Sequence, residues 1–262
     1  MKLNISIGQM DVQLGAPEVN LAVVAQMTAE ATRRGSDIVV FPELWSTGYD
    51  LENGADYATK TDAGIFAQVV HLAKTHQIAI LGSCLSDLGE GRIGNTAVFF
   101  DKHGTAQGTY SKTHLFRLMD EDQYLAAGDK RALLDTEWGK LGLAICYDLR
   151  FPELFRAYAL SGAKLVFLPS EWPHPRLAHW RTLLKARAIE NQFFMVACNR
   201  VGTTKNTTFF GHSAILDPWG EFVVEAGESE MLITAVIDLD TVDEVRKKIP
   251  IFQDRRPEIY EG

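Results

Sequence analysis

The chain has 262 residues, 46% hydrophobic and 23% charged, enough to bury a sizeable core without disulfide or metal staples. A net charge of −8 with no block of like charges argues against the basic face that phosphate binding requires, so no nucleic-acid partner is expected. No apolar run approaches the ~18 residues of a membrane span, and the opening MKLNISIGQM lacks the apolar core of a signal peptide, so a cytoplasmic protein without a membrane partner is expected.

Residues 3–9 alternate apolar and polar, as a half-buried strand does. A helical stretch follows Gly15-Ala16-Pro17, with Leu21, Val24, Met27 and Ala31 on one face and Gly35 as its C-terminal cap. Residues 37–41 form a compact apolar strand ending in Pro42-Glu43. A second helix is predicted over about 62–75, with Ile65, Val69, Leu72 and Ala73 inward. Strands follow at 78–84, 96–101 and 105–111, the last two joined by a turn at 101–104.

A hairpin at Trp138-Gly139 feeds the run 140–146, and a helix over 151–160 ends at Gly162. Residues 165–168 are again a strand. A long helix over 176–192 is predicted to face Leu177, Trp180, Leu184 and Ile189 inward. Runs at 193–198, 211–216, 221–225 and 231–237 complete the pattern, with a turn at 217–220. Helices and strands are interleaved, several strands meet through hairpins, and no linker or repeat interrupts them. One α/β domain over 1–262 with a mixed sheet is expected.

The three cysteines include no CxxC pair, which argues against a disulfide framework and a structural zinc site. Cys84 and Cys198 lie within apolar strand-like runs, where a buried inert thiol is the default. Cys146 instead closes the apolar run 141–145 and is followed at once by a helix. The positive end of a helix dipole would lower its pKa and favour a thiolate, yet this position alone leaves catalytic and structural readings open.

A cysteine nucleophile is commonly paired with histidine, but no spacing singles out any of the seven histidines as its base. Gly211-His212-Ser213 lacks the second glycine of a nucleophile elbow, and neither GxGxxG nor GxxxxGK[ST] occurs. Some group other than histidine is expected to activate Cys146.

Three segments, taken together, resemble the catalytic blocks of the nitrilase superfamily of carbon–nitrogen hydrolases. They are Phe41-Pro42-Glu43-Leu44, the run from Tyr110 through Lys112 to Phe116, and the run from Ile145 through Cys146 to Glu153, each at a strand end. The resemblance implies a four-layer α-β-β-α sandwich and a triad of Glu43, Lys112 and Cys146. It also implies a second glutamate seven residues before a glycine, a place that Glu121 fills relative to Gly128.

In that reading Glu43 takes the Cys146 proton, Lys112 and the Tyr147 backbone N–H hold the oxyanion, and neither metal nor organic cofactor is required. The substrate implied is a small-molecule amide, and the family's habit of pairing through a helical layer implies a homodimer or larger homo-oligomer.

The stretch Glu171-Trp172-Pro173 through Gln192, together with Asp217-Pro218-Trp219-Gly220, is similar to the omega-amidase branch, which cleaves terminal amides of short dicarboxylate monoamides such as 2-oxoglutaramate. Trp172 and Tyr49 are expected at the pocket wall. Arg176 is the candidate for the substrate's distal carboxylate, with Arg150 and Arg187 expected to pair with neighbouring carboxylates. Hydrolysis of other small amides, N-carbamoyl compounds or nitriles is the alternative chemistry, and a non-catalytic binding protein the alternative class.

Overall fold

The computed structural model describes residues 1–260 and contains two six-stranded mixed sheets. The first orders Met231–Asp238, Lys2–Gln9, Ile38–Val40, Ala79–Gly89, Arg92–Phe100 and Ala106–Ser111. The second orders Phe222–Glu225, Ala214–Leu216, Phe194–Asn199, Leu165–Ser170, Gly139–Leu143 and Ala132–Thr136. Each has a parallel trio inside it, continued by antiparallel strands at its edges.

The sheets pack face to face. Leu3, Ile5, Ile7, Ile38, Val40, Leu81 and Phe99 of the first share one core with Leu141, Leu143, Leu165, Phe167 and Val196 of the second. Phe99 and Phe167 bring their ring centroids within 6.1 Å across the seam. Alternate side chains of the first sheet, Val39, Ile80 and Val98, point the other way into a second core beneath Pro17–Arg33 and Gly64–His76. Helices Pro152–Leu160 and Leu177–Asn191 contribute Phe155, Tyr158, Trp180 and Leu184 to the main core on the far side. The layers are therefore α-β-β-α. Coverage on both faces explains why Ile38-Val39-Val40 reads as an unbroken apolar run rather than an alternation.

The helices obey the expected periodicity with one exception. Val24 and Ala31 are fully buried with Leu21 and Met27 packed beside them, and Val69 and Ala73 face inward with Phe66. In Leu177–Asn191 the buried set is Trp180, Leu184, Arg187, Ala188 and Asn191, and Ile189 is 52% exposed. The buried positions recur at steps of three and four residues, and Ile189, one residue past Ala188, falls off that face.

Two hairpin features were not expected from the sequence. Ala79–Gly89 and Arg92–Phe100 are longer than the apolar runs inside them and turn through Glu90 and Gly91. Val201–Thr204 pairs with Thr207–Phe210 as a separate ribbon. The hairpin expected at Trp138-Gly139 is present, pairing Ala132–Thr136 with Gly139–Leu143 at the sheet edge. A further helix, Asp240–Lys248, buries Val242 and Val245. Among the described residues no helix is long and apolar enough to cross a membrane.

Candidate active site

Carboxyl ends of parallel strands are where open α/β sheets place their ligands. Ile38–Val40 runs out into Glu43, Gly139–Leu143 into Cys146, and Leu165–Ser170 into Glu171. Ala106–Ser111, at the edge of the first sheet, ends directly before Lys112. All four side chains are at most 1% exposed.

The Lys112 ammonium lies between two carboxylates, 2.7 Å from Glu43 Oε1 and 2.5 Å from Glu121 Oε1. Tyr49 joins them, its hydroxyl donating to Glu43 at 3.1 Å and also to Glu121. Asn95 Nδ2 donates to Glu43 Oε1 at 2.8 Å, and the Glu171 backbone N–H donates to Glu43 Oε2 at 2.9 Å. Glu121 is fixed through its other oxygen, which accepts the Phe116 N–H at 2.7 Å. Every carboxylate oxygen of this pair is thus held, which a buried acid requires.

Why a glycine follows Glu121 at seven residues is clear from the backbone. Gly128 donates its N–H to the Lys112 carbonyl at 2.8 Å, and a Cβ there would lie 2.1 Å from the Ser111 carbonyl oxygen. Only glycine lets the segment fold back so closely onto the lysine strand, and this return keeps Glu121 beside Lys112.

Burial opposes the charge on Lys112, but Glu43 and Glu121 outweigh it and hold the ammonium well above its ordinary pKa. Burial raises Glu121 against the pull of Lys112. The Cys146 thiol lies beside Glu43, and burial first, then Glu43, push it well above the ordinary thiol value. This corrects the expectation of a dipole-stabilised thiolate. Cys146 opens a five-residue 3-10 turn, Cys146–Arg150, instead of an α-helix, and its surroundings are dry and acidic. The resting group is a neutral thiol, so a base must take its proton. Cys84, by contrast, is pushed up to about 12 by burial alone, with Ser46 pulling the other way.

Cys146 adopts φ +46°, a left-handed conformation that costs a non-glycine residue roughly 1–2 kcal/mol. One buried acid secures it. Asp148 Oδ2 accepts the Ile145 N–H and the Tyr110 hydroxyl, each at 2.8 Å. Its Oδ1 faces His114 Nδ1 at 2.7 Å and accepts the Thr113 hydroxyl and the His114 N–H at 3.2 Å. The turn carrying the thiol and the segment after Lys112 are tied to the same carboxylate. Asp148 lies within the block from Ile145 to Glu153, yet the sequence marked neither it nor Asn95 for these places.

The other candidates are dispersed around this cluster. Tyr147 is half-buried against Phe116 (ring centroids 4.8 Å apart), and no acceptor among the described residues takes its N–H. Trp172 is 1% exposed, packed in the core against Trp180 with ring centroids 5.2 Å apart and planes tilted by 59°, and lines none of the three cavities around the site.

Arg176 is half-buried with its guanidinium 5.5 Å from the Phe116 ring, and its Nε is buried without a partner among the described residues. Arg187 pairs with Glu190 at 2.8 Å as expected. Arg150 pairs with no acid among the described residues; it lies over Trp172 at 5.0 Å and beside His179. The indole face offers it a partner that a pattern of charges cannot reveal.

A cavity of about 240 Å³ opens beyond Tyr49, lined in part by Glu171, Arg200, Leu118, Met119 and Thr207. Arg176 lines a neighbouring cavity that shares Leu118, Met119 and Thr207 with it.

The family model for carbon–nitrogen hydrolases matches residues 4–247. The chain is 41% identical over 260 residues to a 2-oxoglutaramate amidase of Bacillus subtilis (strain 168), covering 99% of this chain and 100% of that one. It is 32% identical to omega-amidase NIT2 of Bos taurus, covering 92% of this chain and 91% of the relative. The crystal structure of a carbon–nitrogen hydrolase from Helicobacter pylori G27 superimposes with a TM-score of 0.91 at 28% identity, covering 99% of this chain and 97% of that one.

Proposed function

The chain belongs to the carbon–nitrogen hydrolase family and is an amide-hydrolysing enzyme, and from that premise we propose that it releases ammonia from the terminal amide of a short dicarboxylate monoamide, 2-oxoglutaramate or a close analogue. The observation that carries the chemistry is a buried lysine held between two carboxylates beside a buried neutral thiol.

Glu43 takes the thiol proton as Cys146 Sγ bonds to the amide carbon. The oxyanion is met by the Lys112 ammonium and the Tyr147 N–H. Glu43 then delivers its proton to the nitrogen, the carbon–nitrogen bond breaks, and ammonia leaves a thioester on Cys146. Water, giving a proton to Glu43, attacks the thioester. The carbon–sulfur bond breaks, and Glu43 returns the proton to sulfur. Glu121 keeps Lys112 charged and in place throughout. No metal or organic cofactor enters this sequence.

Support for the substrate comes from the names of two relatives and from Arg176. A cation with a buried, unpartnered Nε at the edge of the site suits the distal carboxylate of such an amide. Tyr49 positions the catalytic acids at the pocket wall, and Trp172 supports that wall from behind. A nucleophilic thiol is kept reduced in the cytoplasm, where we place the enzyme. Exposed Leu160 and Ile189, on the two helices covering the second sheet, support pairing of copies through that layer.

The test is ammonia release from 2-oxoglutaramate, succinamate, glutaramate, glutamine, N-carbamoyl amino acids and simple nitriles. The dicarboxylate monoamides should be turned over with the highest kcat/KM. Replacing Arg176 by Ala should raise KM for them about tenfold or more, the loss of a charged hydrogen bond, with kcat little changed. Faster turnover of a carbamoyl compound or nitrile would keep the machinery and reject the substrate, and an unaltered KM in the variant would reject Arg176.

A further inference from the structure

We propose that Glu171, which lines the cavity beside Tyr49, is a specificity-determining residue whose unpaired carboxyl oxygen donates a hydrogen bond to the 2-oxo oxygen of a 2-oxo acid monoamide. The inference rests on the amidase reading above and extends it to the chemistry of the substrate's carbon chain.

Glu171 is 1% exposed, and its two oxygens are treated differently. Oε2 accepts from Arg200 Nη1 at 3.1 Å. Oε1 is buried and has no partner among the described residues. A buried carboxyl oxygen left unpaired in a native fold calls for a partner supplied from outside the chain. Arg200 cannot supply it, because it is already committed to the carbonyls of Val201 and Val12 and to the Thr204 hydroxyl at 3.1, 2.6 and 3.1 Å. Glu171 lines the cavity, and its backbone N–H donates to Glu43 Oε2 at 2.9 Å, so the residue touches both the cavity and the catalytic acid.

The protonation state decides whether Oε1 offers or accepts. Burial raises Glu171 to about 8, with Arg200 and Lys112 pulling down and Glu43 pushing up. Tyr49, itself raised by burial and by the surrounding acids, is the other titratable neighbour toward the catalytic cluster. On the outer wall Lys205, Glu52, Asp120 and Tyr124 are exposed, where solvent and salt screen them. With Oε2 receiving the guanidinium, the proton belongs on Oε1. A neutral buried acid of this kind is a hydrogen-bond donor at neutral pH. A carbonyl oxygen beside the distal carboxylate is the acceptor that fits. Once Glu171 ionises, the donor is lost and the new charge repels the same carboxylate.

The experiment compares kcat/KM for 2-oxoglutaramate with that for glutaramate, which lacks the oxo group, at pH values on both sides of about 8. Taking the ratio cancels pH effects on the catalytic step, which bear on both amides alike. In the wild type the ratio should fall about tenfold as pH rises past this value. In Glu171→Gln the ratio should hold across the range, because the amide accepts from Arg200 and still donates into the cavity at every pH. In Glu171→Ala it should be low throughout.

A flat wild-type ratio, or a fall that persists in Glu171→Gln, overturns the inference while leaving the amidase reading intact. Should Glu171→Ala fail to fold, having left Arg200 without its acid, the wild type and Glu171→Gln decide the matter alone. Absence of ammonia from both amides in the wild type overturns the substrate reading and this inference with it.

Discussion

Cys146→Ala will release no measurable ammonia from any amide that the wild type hydrolyses, while keeping its fold. The expected drop is about 10³-fold or more in kcat, because without sulfur there is no acyl-enzyme and the remaining groups can only polarise the carbonyl. Water does not substitute readily, since the site that positions the amide for a thiol leaves no second nucleophile against the carbonyl carbon. The structural cost is small by comparison. The thiol's contact with Glu43 is one of several that fix that acid, and the turn is held by Asp148 through the Ile145 N–H. The circular dichroism spectrum and thermal midpoint should therefore stay close to those of the wild type. Activity surviving in the variant would transfer the nucleophile to another group, and a wild type that releases no ammonia at all would favour a binding protein on an enzyme's scaffold.

Lys112→Met should lose activity and stability together. Methionine matches the lysine stem in length, so packing is nearly retained, but Glu43 and Glu121 are left fully buried without their cation. Removing one partner from a buried ionic group costs roughly 3–5 kcal/mol. That loss has a direction in pH. Glu121 is already held above its ordinary pKa by burial, so the folded chain keeps this proton to a higher pH than the unfolded chain does. A group shifted this way stabilises the fold below its unfolded value and loses that contribution as pH rises through the folded one. Without Lys112 the opposing pull disappears and the effect grows. Urea unfolding at about pH 5 and about pH 8 should show the variant's deficit widening with pH. A deficit that does not change with pH would mean that packing, not uncompensated charge, is what the lysine supplies.

Much of this site was legible in the sequence because apolar strand runs stop abruptly at polar residues of unusual type. Glu43 after 37–41, Lys112 after 105–111 and Cys146 after 141–145 stand where strand ends converge, and the structure brings them together. Glu171 obeys the same rule after 165–168 and opens the stretch similar to the omega-amidase branch, but nothing there assigned its carboxyl a role. The electrostatic state of Cys146 was not legible. A strand followed by a helical pattern suggests a dipole, whereas the decisive terms, burial and the charge of Glu43, come from a residue more than a hundred positions away.

Trp172 was expected at the pocket wall because an aromatic residue after a strand end suits either place. Its neighbours Trp180 and Arg150 draw it into the core. The span of the edge strand Ala132–Thr136, whose turn at Trp138-Gly139 was expected, and the ribbon of Val201–Thr204 and Thr207–Phe210 escaped notice for a simpler reason. Their exposed faces tolerate polar residues, and the apolar signal dilutes below recognition.

The arrangement around Asp148 bears on how such a site could be moved or remade. Its carboxylate accepts from the residue before the nucleophile and from two residues after the lysine, so the two loops share a single anchor. A designer transplanting the thiol turn onto another sandwich would carry half a fastening, and the lysine loop taken alone would carry the other half. The transferable unit is the pair of loops with Tyr110, His114 and Asp148 between them. Recombination that separates those loops produces chains that still contain every reacting group and no longer hold them in register.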